Sequence, residues 1–482
     1  PYTLSSGINK IDQKIFNYAK LPVNLWADYC FDKNTFTEIK IQSLDNDLEK
    51  PVASKIYSGK IHNQQVYFYM KDSRIHGGST GDREGLKYSA AQYISYCTGC
   101  PLFVWNDGAG ANILEGVISL NRGAEGFMLN SLLAKNVDSN TFQAYTENIE
   151  DNTLTRLFTE LRQQFSLDYS NIKQNNSFQL IAVGVGPSAG LDVYGSSQAS
   201  IQVLLDSEQS YRVLTGSNVI RSAIGEDITN YEIGGANILG KWTGIVDLIA
   251  KDKLHLIHII QKLVNIFCIE EQLEKINRQP VQLNNSVENR KSNVISESLV
   301  QANVDNGIFW SFKKDYYGSE ALLGGFAKLG GRRILILGQR SHTGLRSQAS
   351  IIKAKELLRI SHRTRTHQIL IFGKKWQQEL SFRDNISVRA RIDFTKRLHK
   401  KCKLRIHIIT HKNGLKAIEL NSSADVIIFI ENTEDDKHRE FCNRHSTFTV
   451  KTISDAFDLC QKLISYIDPL QINSRTIETN NK

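Results

Sequence analysis

The chain has 482 residues, 41% of them hydrophobic and 23% charged, with a net charge of +9. That length exceeds one ordinary core and the composition is that of a packed protein, which excludes a disordered or fibrous chain and predicts two or three domains. Seven scattered cysteines exclude a disulfide framework and predict a reducing compartment, while Pro1 in place of a starting Met leaves any targeting segment out of view.

In chain order, the first strand-like run is 65–70, followed by GGSTGDREGLK at 77–87, a glycine turn ahead of a helical stretch. Cys97 and Cys100 close that stretch with the spacing of half a zinc site, but no second pair completes it, so both are expected in the core and no metal is expected. The strand PLFVWND then runs into GAGANILEGV, 108–117, a small-residue turn expected at the mouth of a helix. Backbone amides there would converge on one point with the positive end of the helix dipole behind them, which suits an oxyanion. A third junction joins the strand at 179–185 to GPSAGLDVYGSS, 186–197.

The longest apolar stretch, 254–268, is interrupted by His255, His258, Gln261 and Lys262 and falls short of the roughly 18 residues of a bilayer span, so no membrane span is expected. Residues 269–302 are polar and read as a linker, which gives domains at 1–268 and 303–472 and a flexible tail at 473–482. Beyond the linker, strand patterns at 333–337, 368–372, 404–410 and 425–430 alternate with helical ones as they do before it. The alternation predicts an α/β fold and a distant internal duplication. Residues 332–412 hold 21 Lys and Arg against four acids, a local +17 that leaves the remainder at −8. Such a block is either a solvated face or a footprint for a polyanion, an RNA or an acidic partner met by the Lys and Arg between Arg383 and Arg405. Phe394 is the one aromatic there, so base stacking is not expected.

The three turns in this order, followed by LTGSNVIRSAIGEDITNYEIGGA at 214–236, resemble the carboxyltransferase (beta) subunits of the acyl-CoA carboxylases, of the propionyl- and methylcrotonyl-CoA type. Gly77, Gly78, Ser79, Gly81 and Lys87 match the first turn, Gly110, Ala111, Glu115 and Gly116 the second, and Gly186, Pro187, Ala189 and Gly190 the third. DNGIFW and GGFAKLGGRR, within 305–333, resemble the opening of the family's second half. The resemblance implies two tandem crotonase-type ββα superhelix domains and an oligomer of that fold. It implies a coenzyme A thioester held by Gly77, Gly78, Ser79, Lys87, Gly186, Ala189 and Gly190, its oxygen facing the amides of Ala109 and Gly110. Carboxybiotin on a separate carrier, with a biotin carboxylase as partner, is implied to meet the amides of Lys416 and Ala417, in the mitochondrial matrix or cytoplasm. The stretch 412–417 is expected at the place in the second half that 108–111 occupies in the first.

Departures from the family pattern fall at the ligand-facing turns: Ala109 and Leu191 each replace a Gly, Asn112 an Arg, and Leu415 and Lys416 a pair of glycines. GKKWQQ, 373–378, stands where the family has a DVPGF-type turn. Two readings therefore stand side by side, a working carboxyltransferase subunit and an inactive homologue kept as a structural or binding subunit of a larger assembly. A crotonase-type hydratase or decarboxylase would need a pair of placed Glu residues, and Glu115 is expected to cap or pack in the second turn instead.

Overall fold

An antiparallel hairpin opens the sheet of each half of the chain, and a carboxylate from just upstream pins each hairpin turn. The computed structural model describes residues 20–46, 51–134, 139–147, 152–167, 180–268, 295–340, 347–373, 385–410, 422–430 and 446–468, and the chain divides into two units, Pro1–Cys268 and Ile269–Lys482. Both are α/β units of the crotonase type.

The first unit runs α1 (Val23–Cys30), β1 (Thr37–Ile39), α2 (Gln42–Asp45), β2 (Ser54–Ile61), β3 (Gln64–Lys71), α3 (Asp82–Thr98), β4 (Leu102–Gly108), α4 (Val117–Ala134), α5 (Ser139–Glu147), α6 (Asn152–Phe165), β5 (Leu180–Ala189) and α7 (Leu191–Ser197). It continues with β6 (Ile201–Leu205), β7 (Tyr211–Val213), α8 (Ser217–Ile224), α9 (Asn230–Gly234), β8 (Leu248–Ala250) and α10 (Lys253–Cys268). The sheet order is β1-β2-β3-β4-β5-β6-β8, with β7 beside the end of β5. Strands β1 to β3 pair antiparallel and the rest parallel. The β2–β3 turn places His62 and Asn63 at positive φ, as a two-residue hairpin turn requires, and both N–H groups donate to the Asp32 carboxylate at 3.1 and 2.9 Å. Tyr69, Val104, Tyr93, Phe142 and Phe158 belong to one buried cluster that joins the sheet to α3, α5 and α6. Cys97 sits in that cluster with Cys100 packed against it, as expected from the sequence.

The second unit runs α11 (Glu297–Gln301), β9 (Phe309–Ser311), β10 (Leu322–Leu329), β11 (Arg332–Gln339), α12 (Gln348–Arg363), β12 (His367–Phe372), α13 (Asn385–Leu398), β13 (Arg405–Ile409), β14 (Val426–Ile430), β15 (Phe448–Val450) and α14 (Ile453–Ile467). Its sheet order is β15-β14-β13-β12-β11-β10-β9, antiparallel from β9 to β11 and parallel beyond. Gly330 and Gly331 make the hairpin turn, and their N–H groups donate to the Asp305 carboxylate at 3.0 and 2.7 Å. Alternate residues of adjacent strands, Ile334 and Ile336, Ile369 and Ile371, Ile406 and Ile408, Ile428 and Ile430, form one buried layer. All seven strand runs read from the sequence are strands.

Two expectations change. In the order hairpin, helix, parallel strands, β12 is the counterpart of β4 and β13 of β5. By that order the counterpart of 108–111 begins at Gly373, whereas 412–417, which comes after β13 in the chain and includes Lys416 and Ala417, lies outside the described residues. The basic block is also not a uniform surface. Arg332 and Arg405 each begin a strand and are buried; Arg332 donates to the carbonyls of Gly330 and Asp468, and Arg405 to Gln368 Oε1 at 2.8 Å and to the carbonyls of Ser423 and Lys400. Lys353 is buried in α12, and Lys403 pairs with Asp468 at 2.6 Å. Among the described residues no helix is long and apolar enough to cross a membrane.

Candidate functional site

Parallel pairing of β3, β4 and β5 brings their carboxyl ends to one edge of the sheet, where the three turns meet. In the first turn Gly77 and Gly78 have φ of +63° and +65°. A Cβ at Gly78 would collide with the Asp107 carbonyl at the end of β4, so this position requires glycine for approach as well as for dihedral. The Gly77 carbonyl accepts from the Ala109 N–H at 3.0 Å, the Thr80 N–H donates to the Gly110 carbonyl at 2.6 Å, and the Asn112 N–H donates to the Thr80 carbonyl at 2.9 Å. The third turn closes from the other side. Gly110 has φ +90°, and a Cβ there would stand 2.6 Å from the Ala189 carbonyl oxygen. Gly186 packs directly on the Asp107 carboxylate, and the Gly190 N–H donates to the Val213 carbonyl at 3.0 Å.

Gly77, Gly78, Gly110, Gly186, Ala189 and Gly190 are thus brought together around one backbone junction. The two other coenzyme-binding expectations fare differently. The Ser79 hydroxyl donates to the His76 carbonyl within its own turn. Lys87 is 2% exposed; its ammonium pairs with Asp45 and donates to the Ser54 carbonyl at 3.1 Å, so it ties α2 and β2 to α3 and offers nothing to a ligand. Of the two amides expected to face a thioester oxygen, that of Ala109 is engaged by Gly77. The Gly110 amide has no acceptor among the described residues and remains the candidate donor. Helix α4 starts at Val117, after a 3₁₀ turn at Ile113–Glu115, so its dipole does not act directly at Gly110 as the sequence suggested. Glu115 does cap: its carboxylate accepts from the Asp82 N–H at 2.6 Å, at the start of α3, and from Asn112 Nδ2 at 3.0 Å.

Beneath the junction lies a cluster that sequence reasoning missed. Lys71, the last residue of β3, pairs with Asp192 of α7 at 2.5 Å and also donates to Thr80 Oγ1, which in turn lies 3.3 Å from the same Asp192 oxygen. The strand before the first turn, the turn itself and the helix after the third turn therefore contribute one member each. Asp107, at the end of β4, accepts from the Ser73 hydroxyl at 2.8 Å and stands 3.3 Å from Lys20 Nζ; burial pushes its carboxyl above the ordinary range. The only local signals in sequence were a Lys closing an apolar strand and an Asp two residues after Gly190.

Comparisons with known proteins agree with this construction. The propionyl-CoA carboxylase beta chain of Saccharopolyspora erythraea is 24% identical over 246 residues, 49% of this chain and 37% of that protein. A biotin-dependent acetyl-/propionyl-coenzyme A carboxylase beta5 subunit of Mycobacterium tuberculosis is 26% identical over 233 residues, 47% of this chain and 35% of its own length. The chain thus matches little more than a third of these relatives. The methylmalonyl-CoA decarboxylase subunit alpha of Propionigenium modestum is 22% identical over 352 residues, 69% of this chain and 59% of that protein. The transcarboxylase 12S crystal structure with hydrolysed methylmalonyl-coenzyme A bound superposes with a TM-score of 0.71 at 16% identity, over 95% of this chain and 92% of that one, and shares the fold. Residues 28–139 and 151–375, which include all three turns and reach through β12, match the carboxyl transferase domain, and the chain belongs to that family.

Proposed function

We propose that the chain is a carboxyltransferase subunit that moves a carboxyl group between a biotin carrier and the α carbon of an acyl-CoA, with the first unit holding the thioester. The observation that carries this reading is the Gly110 amide, unengaged among the described residues, at a junction where three turns pack backbone to backbone. Removing a proton α to a thioester drives negative charge onto its oxygen. An amide fixed in advance at that point stabilises the charge without reorganisation, each such donor contributing roughly 3 kcal/mol. The first and third turns fix it: the Gly110 carbonyl is held by Thr80 and its α carbon abuts Ala189. Carboxybiotin would supply the carboxyl group, and the residues expected to meet it, Lys416 and Ala417, lie outside the described residues.

Assembly is part of this reading. Ile113 and Leu114 are 90% and 95% exposed, and Val117, Ile118 and Leu120 beside them, Leu214 just before α8, and Val219 and Ile224 in α8 are also exposed. That much apolar surface calls for a protein partner, for which a second subunit of this fold is the choice here, since the transcarboxylase 12S protein that shares the fold forms a hexamer. A second reading, an inactive subunit retained for assembly, is favoured by Leu415 and Lys416, whose long side chains stand where the family carries glycines.

Carboxyl transfer from methylmalonyl-CoA to free biotin, read as propionyl-CoA by mass spectrometry, tests the site with a proton balance that closes, since the biotin nitrogen gives up its proton as it takes the carboxyl group. The wild-type chain is expected to form propionyl-CoA only when biotin is present, and Gly110→Ala to lose most of that turnover while keeping its circular dichroism, because its methyl meets the Ala189 carbonyl and displaces the amide. A folded wild type that binds propionyl-CoA without turnover favours the inactive subunit; failure to bind it removes the acyl-CoA reading.

A further inference from the structure

The Lys71–Asp192 pair is left unexplained by that chemistry. Lys71, Thr80 and Asp192 are all buried, and the Lys71 ammonium reaches both Asp192 Oδ1, at 2.5 Å, and Thr80 Oγ1. Its two partners belong to the elements that hold Gly110. Thr80 bridges to the second turn through its backbone: its N–H donates to the Gly110 carbonyl at 2.6 Å, and its carbonyl accepts from the Asn112 N–H at 2.9 Å. Helix α7 begins at Leu191, whose backbone N lies 3.4 Å from the Cβ position of Gly110, and Asp192 is the next residue. The second carboxylate oxygen of Asp192, Oδ2, is sealed beneath Gly108, 2.8 Å from where a Cβ there would be. One ammonium thus joins the first turn to α7, the two elements between which the second turn is held.

A buried ion pair is a poor source of stability, because desolvation of both charges offsets most of their attraction and an apolar pair of similar volume does as well or better. What it supplies is position. A charge-assisted bond is short and directional, and neither buried charge can move off without leaving a bare ion behind. The value of a preset amide donor depends on such position, since a displacement of about 1 Å costs on the order of a hundredfold in rate. We propose that Lys71 and Asp192 are positioning residues for the Gly110 amide, fixing the first turn and α7 against the second turn so that this donor stands where charge develops on the thioester oxygen. The inference rests on the acyl-CoA reading of the Gly110 site and names the device that presets its donor.

Turnover of methylmalonyl-CoA with biotin, titration calorimetry with propionyl-CoA and thermal melting, all on the full chain carrying Lys71→Met/Asp192→Leu, test it. That variant replaces the pair by apolar groups and leaves no charge buried alone. Its kcat is expected to fall about tenfold or more while its Kd for propionyl-CoA stays within about threefold of wild type, the split that marks an interaction felt only in the transition state. Its melting temperature is not expected to fall, whereas a pair that served the fold alone would lower the melting temperature and spare kcat. Hydrogen exchange of the Thr80 and Asn112 amides, which bond the first turn to the second, is expected to quicken. Should the double variant fail to fold, Thr80→Val, which removes the hydroxyl that Lys71 holds and keeps both backbone bonds, is expected to lower kcat severalfold at unchanged Kd. A kcat within about twofold of wild type in the folded double variant would overturn the inference while the acyl-CoA reading stands. Binding lost in step with turnover, or amide exchange as slow as in wild type, would overturn it equally. A wild type that binds propionyl-CoA without turnover leaves these residues no reaction to serve and overturns the inference alone; if the wild type does not bind it, the acyl-CoA reading itself falls and takes this inference with it.

Discussion

Each half of the chain buries a lysine at the sixth position of the helix that follows its hairpin, Lys87 in α3 and Lys353 in α12, at 2% and 3% exposure. Each half also holds its hairpin turn with one upstream carboxylate that accepts from two successive turn amides, Asp32 in the first and Asp305 in the second. The scaffold is therefore repeated down to single residues. The neutralisation of the lysine is not. Lys87 meets Asp45 directly, whereas Lys353 has no ion pair within 4 Å among the described residues; burial and the charge of Arg340 bring its ammonium down to about 8, against the opposing influence of Glu320 and Asp315. One position can thus be a tie between elements in one copy and a destabilising charge in the other, according to whether a short upstream helix such as α2 delivers an acid to it.

The comparison breaks most sharply at Asp45. Asp45→Ala would leave the Lys87 ammonium buried with only the Ser54 carbonyl, at a cost of about 3–5 kcal/mol. Hydrogen exchange of the α3 amides reads this loss without mixing in the second unit. A change below about 1 kcal/mol would show that Lys87 escapes to water and that the pair is not a tie.

Lys353→Met should act in the opposite direction. The folded-state value, about 8, lies below the ordinary 10.5, so between these values the unfolded chain binds a proton that the folded chain does not, and stability rises with pH across that window. Below pH 8 the full penalty is present, of order 3 kcal/mol from a shift of this size. The Met variant is therefore expected to unfold at a higher temperature than wild type at pH 7, with the difference shrinking toward pH 10.5. Parallel melting curves at about pH 7 and pH 10 would contradict the burial of a charge there.

Much of this was readable from sequence because it is local. The seven strands carry continuous or alternating apolar runs, and the three turns carry glycines whose need is set by immediate neighbours, as at Gly78 under Asp107. What was not readable depends on long-range pairing. Lys71 and Asp192 lie 121 positions apart, and neither stands in a motif that suggests the other. Lys87 looked like a coenzyme ligand because its acid, Asp45, sits in a four-residue helix with no pattern of its own. The Ala109 amide looked free because its acceptor, the Gly77 carbonyl, belongs to another turn. The 3₁₀ turn over Ile113–Glu115, which sets the start of α4 back from Gly110, has no pattern of its own in the sequence.

The smallest expected effect separates two kinds of lysine within the basic block. Lys400 and Lys401 are exposed between α13 and β13, whereas Lys403, two residues on, holds Asp468, whose carboxyl is kept well below the usual range first by His367 and also by Lys403. Replacing Lys400 and Lys401 with Gln should change stability by less than about 0.5 kcal/mol, as for surface sites without special roles. Lys403→Gln should cost somewhat more, about 1 kcal/mol, because the pair is partly shielded and Asp468 also receives His367. That loss should shrink as pH falls through the Asp468 value and the carboxylate is protonated, since a depressed carboxyl stabilises only while ionised. Retention on a heparin column then divides the block by function. If the exposed pair is an electrostatic footprint, the Lys400/Lys401 double variant elutes at lower salt, with the salt slope reduced by about two. Elution unchanged in the double variant would assign these lysines to an ordinary solvated face, and would leave the members with partners in the fold, Arg332, Arg405 and Lys403, as the part of the basic block that the fold itself requires.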